Sequence, residues 1–133
     1  MPIIFRILLL INLEFLSSVT YSEQEISNDK KQEAYYYYTM SEIYRLDYDL
    51  KNSIACLEKA IQHQPISSFL HTSLAFKYLL ENDEKNAKIE LKEAIELNAS
   101  SYYPYFLIAK IYLAENDIEK ALFYIKKADE LNG

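Results

Sequence analysis

The sequence predicts an all-α fold, a superhelical solenoid of three helix-turn-helix repeats. The first observation behind this is a period. Tyr37, Met40, Ser41, Tyr44, Asp49, Ser53, Leu57 and Ala60 form one string, and 34 residues later the same slots hold His71, Leu74, Ala75, Tyr78, Asp83, Ala87, Leu91 and Ala94. After another 34 residues they hold Tyr105, Ile108, Ala109, Tyr112, Asp117, Ala121, Ile125 and Ala128. A fixed period of this length marks a repeat architecture. The second observation is spacing. Tyr105, Ile108, Ala109 and Tyr112 fall at i, i+3, i+4 and i+7, which is one face of a helix, and Ala121, Ile125 and Ala128 repeat the pattern. The third is the punctuation between them. Ala114-Glu115-Asn116-Asp117 carries Asn and Asp, which bond to nearby backbone and so end one helix and cap the next.

Taken in order, residues 1–22 differ from the rest. Arg6 precedes an apolar run, Ile7-Leu8-Leu9-Leu10-Ile11, and Ser17-Ser18-Val19-Thr20-Tyr21-Ser22 gives a small-residue exit. A basic residue, a short apolar run and such an exit describe a secretory signal peptide, cut after Thr20 or Ser22. Glu14 interrupts the run late. The alternatives are an uncleaved N-terminal anchor, with membrane association through residues 3–19, and a cytosolic amphipathic leader. Residues 23–33 are polar except Ile26 and read as a linker or as the solvated start of the first helix. Helices are then expected near 34–46, 50–63, 68–80, 84–97, 102–114 and 118–131, giving repeats 34–67, 68–101 and 102–133. Small residues face the partner helix within each pair: Ser41 and Ser53, Ala75 and Ala87, Ala109 and Ala121. One pair cannot bury its apolar stripe alone, so neighbours must stack. An ordinary helical bundle needs no such strict period.

Composition narrows the function. The 133 residues suit one domain, and half of them are hydrophobic. A net charge of −6 argues against nucleic acid, since phosphate binding needs a basic face. Thirteen tyrosines supply rings with one polar end, a type enriched at interfaces.

At these residues the chain resembles the tetratricopeptide repeat family. That family's repeat has the same length and order: aromatic, Leu, small, Tyr, then Ala, large apolar, Ala and a closing Pro. Pro65 matches the closing Pro after the first copy, while Ala99 and Gly133 stand there after the others. The opening Trp is replaced by Tyr37, His71 and Tyr105, and the small residue is never Gly. The resemblance implies a concave surface lined by the first helix of each repeat. Carried over, its slots are Tyr35, Tyr38 and Glu42, then Phe69, Thr72 and Phe76, then Tyr103, Phe106 and Lys110. Arg45, Leu79 and Leu113 continue it. Tyr35, Tyr38, Phe69, Phe76, Tyr103, Phe106 and Lys110 are therefore the expected peptide-binding groove. Some family members hold chaperone tails with a clamp of Lys and Asn here. The slots of this chain carry Tyr, Thr, Phe and Leu, which disfavours that partner class and fits an apolar or amphipathic segment better.

Chemistry is harder to find. The single Gly leaves no phosphate loop, and one Cys with two His leaves no zinc spacing. His63 and His71 flank a turn, where a metal with Glu58 or Gln62 is the sharp reading and a pair of solvated caps the bland one. No Ser has a nucleophile motif, and the carboxylates interleave with Lys as a solvated face. The expectation is a non-enzymatic chain without cofactor or metal. Cys56 reads as a small apolar filler that could cross-link two chains in an oxidising compartment. On the last helix Asp129 stands where Ile61 and Ile95 stand, a capping substitution, yet Leu122, Phe123 and Tyr124 keep that helix partly apolar. A homodimer or a partner surface is expected there. The sequence thus predicts an exported adaptor or scaffold, periplasmic, secreted or lumenal, that holds a protein or peptide partner. The alternative is a chaperone-like holdase for apolar segments.

Overall fold

The computed structural model describes the backbone of residues 2–133 and the side chains of residues 13, 16–20 and 22–133. Six helices follow one another: α1 (Pro2–Leu46), α2 (Leu50–His63), α3 (Ser68–Leu80), α4 (Glu84–Leu97), α5 (Tyr102–Ala114) and α6 (Ile118–Asn132). No strand forms among the described residues. The chain is an all-α solenoid of three helical hairpins. α1 packs on α2, α3 on α4 and α5 on α6, and α3 and α5 in turn join each hairpin to the one before.

The Asn/Asp turns set the register. Tyr48, Asn82 and Asn116 take the left-handed conformation at φ 61°, 60° and 60°. Beside them the amides of Asp49, Asp83 and Asp117 reach back five residues to the carbonyls of Tyr44, Tyr78 and Tyr112. That closes each first helix in a Schellman turn. The same three Asp side chains then accept from the amides of Asn52, Asn86 and Lys120 and start each second helix. One polar pair thus ends one helix and opens the next, three times in the same slot.

The small residues meet where paired helices cross. Ala75, Ala87, Ala109 and Ala121 are all buried. In the first hairpin Ser53 donates to the Ser41 carbonyl at 2.9 Å, and the two hydroxyls lie 2.9 Å apart. Larger residues fill the flanks and form two apolar clusters. One gathers Leu57, Leu70 and Leu74 between the first and second repeats. The other gathers Leu91, Leu107, Ile108 and Ile111 between the second and third. Tyr78 packs against both.

Of the two readings of residues 23–33, a linker or the solvated start of the first helix, the structure takes the second: the first helix runs unbroken from Pro2 rather than from near Ala34. Residues 23–33 are therefore helical, and their side chains are exposed on every side. Turn residues that would stop the helix are lacking, although no apolar stripe holds it down. The basic residue and most of the apolar run of the expected leader lie outside the described side chains. Among the described residues, no helix is long and apolar enough to cross a membrane.

Candidate functional site

The face built by α1, α3 and α5 carries the expected groove residues. Tyr35 and Tyr38 lie one turn apart on α1, and Phe69 opens α3. The Tyr38 and Phe69 rings meet across the repeat boundary with centroids 5.1 Å apart, tilted by 60°. With Lys31, Ala34, Gln64, Ser67 and Leu70 they wall a cleft of about 260 Å³. Tyr35 and Phe69 are exposed and Tyr38 is half-buried. Burial, and then the Glu42 carboxylate, raise the Tyr38 phenol above the ordinary tyrosine value.

Tyr103 and Phe106 line a second cleft, of about 480 Å³, with Tyr102, Ile125, Ala128, Asp129 and Asn132. Their rings stack at 6.4 Å, and the Lys110 ammonium sits 5.8 Å above the Phe106 ring. The expected residues thus fall into two groups. Phe76 lines neither cleft; it is half-buried, with the Lys77 ammonium 5.4 Å from its ring centre. Thr72 is buried and donates to the Ser68 carbonyl at 2.7 Å.

A charged cluster lies beside Phe76. Glu42 on α1 accepts from Arg45 Nε at 2.8 Å and from Lys77 Nζ at 2.6 Å. Burial pulls the Glu42 carboxyl upward, but the bonds from Lys77 and Arg45 outweigh it and hold the group below the usual carboxylate range. Lys77 is buried along nearly its whole length. Ile43 and Ile111 occupy its slot in the other repeats, so a lone Lys in an apolar column was the signal for this pair. Lys31, Gln64, Ser67 and Leu70 were not expected in the first cleft. Lys31 reaches it only because α1 continues upstream of Ala34.

The two histidines do not meet. His63 stacks on Tyr37 at 5.6 Å, with Nδ1 2.8 Å from Glu33. His71 is buried rather than a solvated cap, which corrects the bland reading given above. Its Nδ1 lies 2.7 Å from Glu90 and its Nε2 lies 3.0 Å from the Pro65 carbonyl. Both neighbours offer oxygen, so the ring is held between α4 and the loop that floors the first cleft. This is a structural brace. Among the described residues no group of three His, Cys, Asp or Glu is placed to hold a metal ion. Cys56 is half-buried, and burial raises its thiol.

A family model described as "Tetratricopeptide repeat" matches residues 34–66 and 102–133. No curated protein matches the chain by sequence. Among solved structures, MamA is similar with a TM-score of 0.73 at 20% identity, over 75% of this chain and 58% of that one. The second TPR of Spaghetti (RPAP3), bound to the HSP90 peptide SRMEEVD, gives 0.74 at 17% identity, over 80% of this chain and 98% of that one. The first TPR of the same protein, bound to the same peptide, gives 0.72 at 22%, over 76% and 80%. At these identities the likeness is one of fold. The chain spans a little over half of the MamA chain.

Proposed function

From a chain that belongs to the tetratricopeptide repeat family, we propose a protein-interaction module, a non-enzymatic adaptor that holds an apolar or amphipathic peptide segment on its first-helix face. The observation that carries this reading is the Tyr38–Phe69 pair, two rings from different repeats at the wall of an open cleft. Exposed rings gathered in a concavity favour a ligand that buries them. The peptide-bound neighbours support the mode of use but not the same ligand. Their SRMEEVD peptide is acidic at its end, whereas the slots here offer Tyr38, Thr72 and Phe76. The residues we assign to binding are Tyr35, Tyr38, Phe69, Phe76, Tyr103, Phe106 and Lys110.

Export belongs to the same reading and is supported by the order of Arg6, the apolar run and Ser17–Ser22. A cut after Thr20 or Ser22 leaves every groove residue in place; retention of residues 3–19 would instead anchor the module at a membrane. Self-association through the last helix is also part of it, since Leu122 and Phe123 stand exposed. The experiment is fluorescence anisotropy with labelled amphipathic helical peptides, apolar on one face. Tyr38→Ala combined with Phe69→Ala should weaken binding at least tenfold with the circular dichroism unchanged. Equal affinity in the double variant would remove the first cleft from the site.

A further inference from the structure

Each inner repeat boundary is made from the same two surfaces. The second helix of one repeat presents its stripe, and the first helix of the next lies against it, α3 on α2 and α5 on α4. Leu57 and Leu91 are thereby sealed at 0% exposure; from the other side Leu70 is sealed at 5%, and Lys77 and Ile111 at 2%. The third repeat carries the first of these surfaces and the first repeat carries the second. Both are open. Ile125, in the slot of Leu57 and Leu91, is 40% exposed. Tyr36, in the slot of Leu70, is 60% exposed, and Ile43, in the slot of Lys77 and Ile111, is 46% exposed.

The second cleft shows what shape is wanted. Its Tyr103, Phe106 and Asn132 occupy the slots of Tyr35, Tyr38 and Gln64 in the first cleft. There the opposite wall is the opening turn of the following first helix, Phe69 and Leu70. The terminal cleft is the same space without that wall. The occupant it fits is therefore a first helix of this kind with its leading face free, and α1 is such a helix. The polar substitutions agree. Ile61 packs on the cluster that contains Leu70. At the open ends those two slots hold Asp129 and Tyr36, a carboxylate and a phenol that can donate to it.

We propose that copies of the chain associate head to tail. α1 of one copy docks through Tyr36, Met40 and Ile43 on the α5–α6 end of the next, through Ile125, Ala128 and Asp129. This continues the solenoid between molecules. It names the partner face for the self-association read above; the terminal cleft shares Tyr103 and Phe106 with the binding face, but the first cleft, with Tyr38 and Phe69, takes no part in it. Because the two surfaces differ, the contact is heterologous, and because it continues the solenoid, each copy added presents a new docking end.

The test is sedimentation of the full chain over a concentration series, with Ile43→Glu and Ile125→Glu. The wild type should grow past a dimer as concentration rises. Each variant alone should stay monomeric, having lost one of its two surfaces. Mixed, the two variants should form a one-to-one dimer and nothing larger, since each retains the surface that the other lacks. A strictly monomeric wild type overturns the proposal. So does a wild type that stops at a dimer while the mixed variants fail to pair, the result of a two-fold contact of α6 with itself. Both positions are solvent-facing, so helical circular dichroism should be kept. Should either variant lose it, Tyr36→Asp and Asp129→Lys replace the pair: each alone should stay monomeric, and because the new carboxylate and the new ammonium attract each other, the mixture should again grow past a dimer. Tyr38→Ala with Phe69→Ala should leave assembly unchanged, so loss of peptide binding and loss of assembly are read separately.

Discussion

Glu42 of the first repeat and Lys77 of the second hold each other at 2.6 Å across a repeat boundary, with the lysine side chain only 3% exposed. A charge so enclosed is tolerated only with its partner present. Glu42→Ala should cost about 3 kcal/mol in urea unfolding, because it strands the enclosed Lys77 ammonium, whereas Lys77→Ala should cost less, since Glu42 keeps its bond from Arg45. Glu42→Gln with Lys77→Ile, which restores the residue type of Ile43 and Ile111, should unfold near the wild-type midpoint. A double variant as weak as the singles would show that the pair itself, not its half-removal, carries the stability.

The same carboxyl gives an acid limb. Its value in the folded chain lies below the ordinary one of 4.5. The stability it contributes is complete above that ordinary value and is lost as pH falls through the lowered one. Melting temperature should drop with acid, and Glu42→Gln should drop less steeply over that interval. Parallel curves for the two proteins would contradict the assignment.

Tyr48 lies at φ 61° and is 92% exposed, in a slot where Asn82 and Asn116 stand in the other turns. A bulky residue there bears backbone strain that Asn and Gly avoid. Tyr48→Gly or Tyr48→Asn should raise stability by about 0.5–1 kcal/mol, visible as a higher melting temperature. No change, or a loss, would mean that the Tyr48 ring makes a contact that offsets the strain.

Tyr78 donates to Glu58 at 3.3 Å, and burial followed by the Glu58 charge pushes its phenol up to about 12 from the ordinary 10.0. Sign follows directly: the folded chain keeps this proton where the unfolded chain has lost it. The contribution is full below pH 10 and disappears between about 10 and 12. Ultraviolet titration of the thirteen tyrosines should end with a late phase that Tyr78→Phe removes. The Phe variant should also lose stability less steeply over that alkaline interval.

Ser41 and Ser53 form the one polar crossing; the other two hairpins use Ala. Ser53→Ala alone strands the Ser41 hydroxyl and should cost about 1–2 kcal/mol. Ser41→Ala with Ser53→Ala should be close to neutral, since it copies the other two crossings. Thermal melts of the three variants check this.

The second to sixth helices were legible because Asp49, Asp83 and Asp117 recur at one interval and both end and begin a helix. The start of the first helix was not. Glu23 to Glu33 has no apolar stripe, so periodicity is silent there, and only the lack of Gly or Pro hints that the helix continues. The placing of these rings on the first helices was legible, but their division into two clefts was not. That division depends on Phe69 and Leu70 closing against the repeat before them, a long-range contact that local periodicity does not show. His71 was misread because its carboxylate partner, Glu90, lies on the next helix and shares no local motif with it.

One ring belongs to two apolar clusters at once. Tyr78 touches the set around Leu57 and the set around Ile108, so the middle hairpin cannot loosen from one neighbour while keeping its grip on the other. Three units of similar sequence are thereby tied to a common fate, and heat should dissolve them together in a single sharp event rather than peel them from an end.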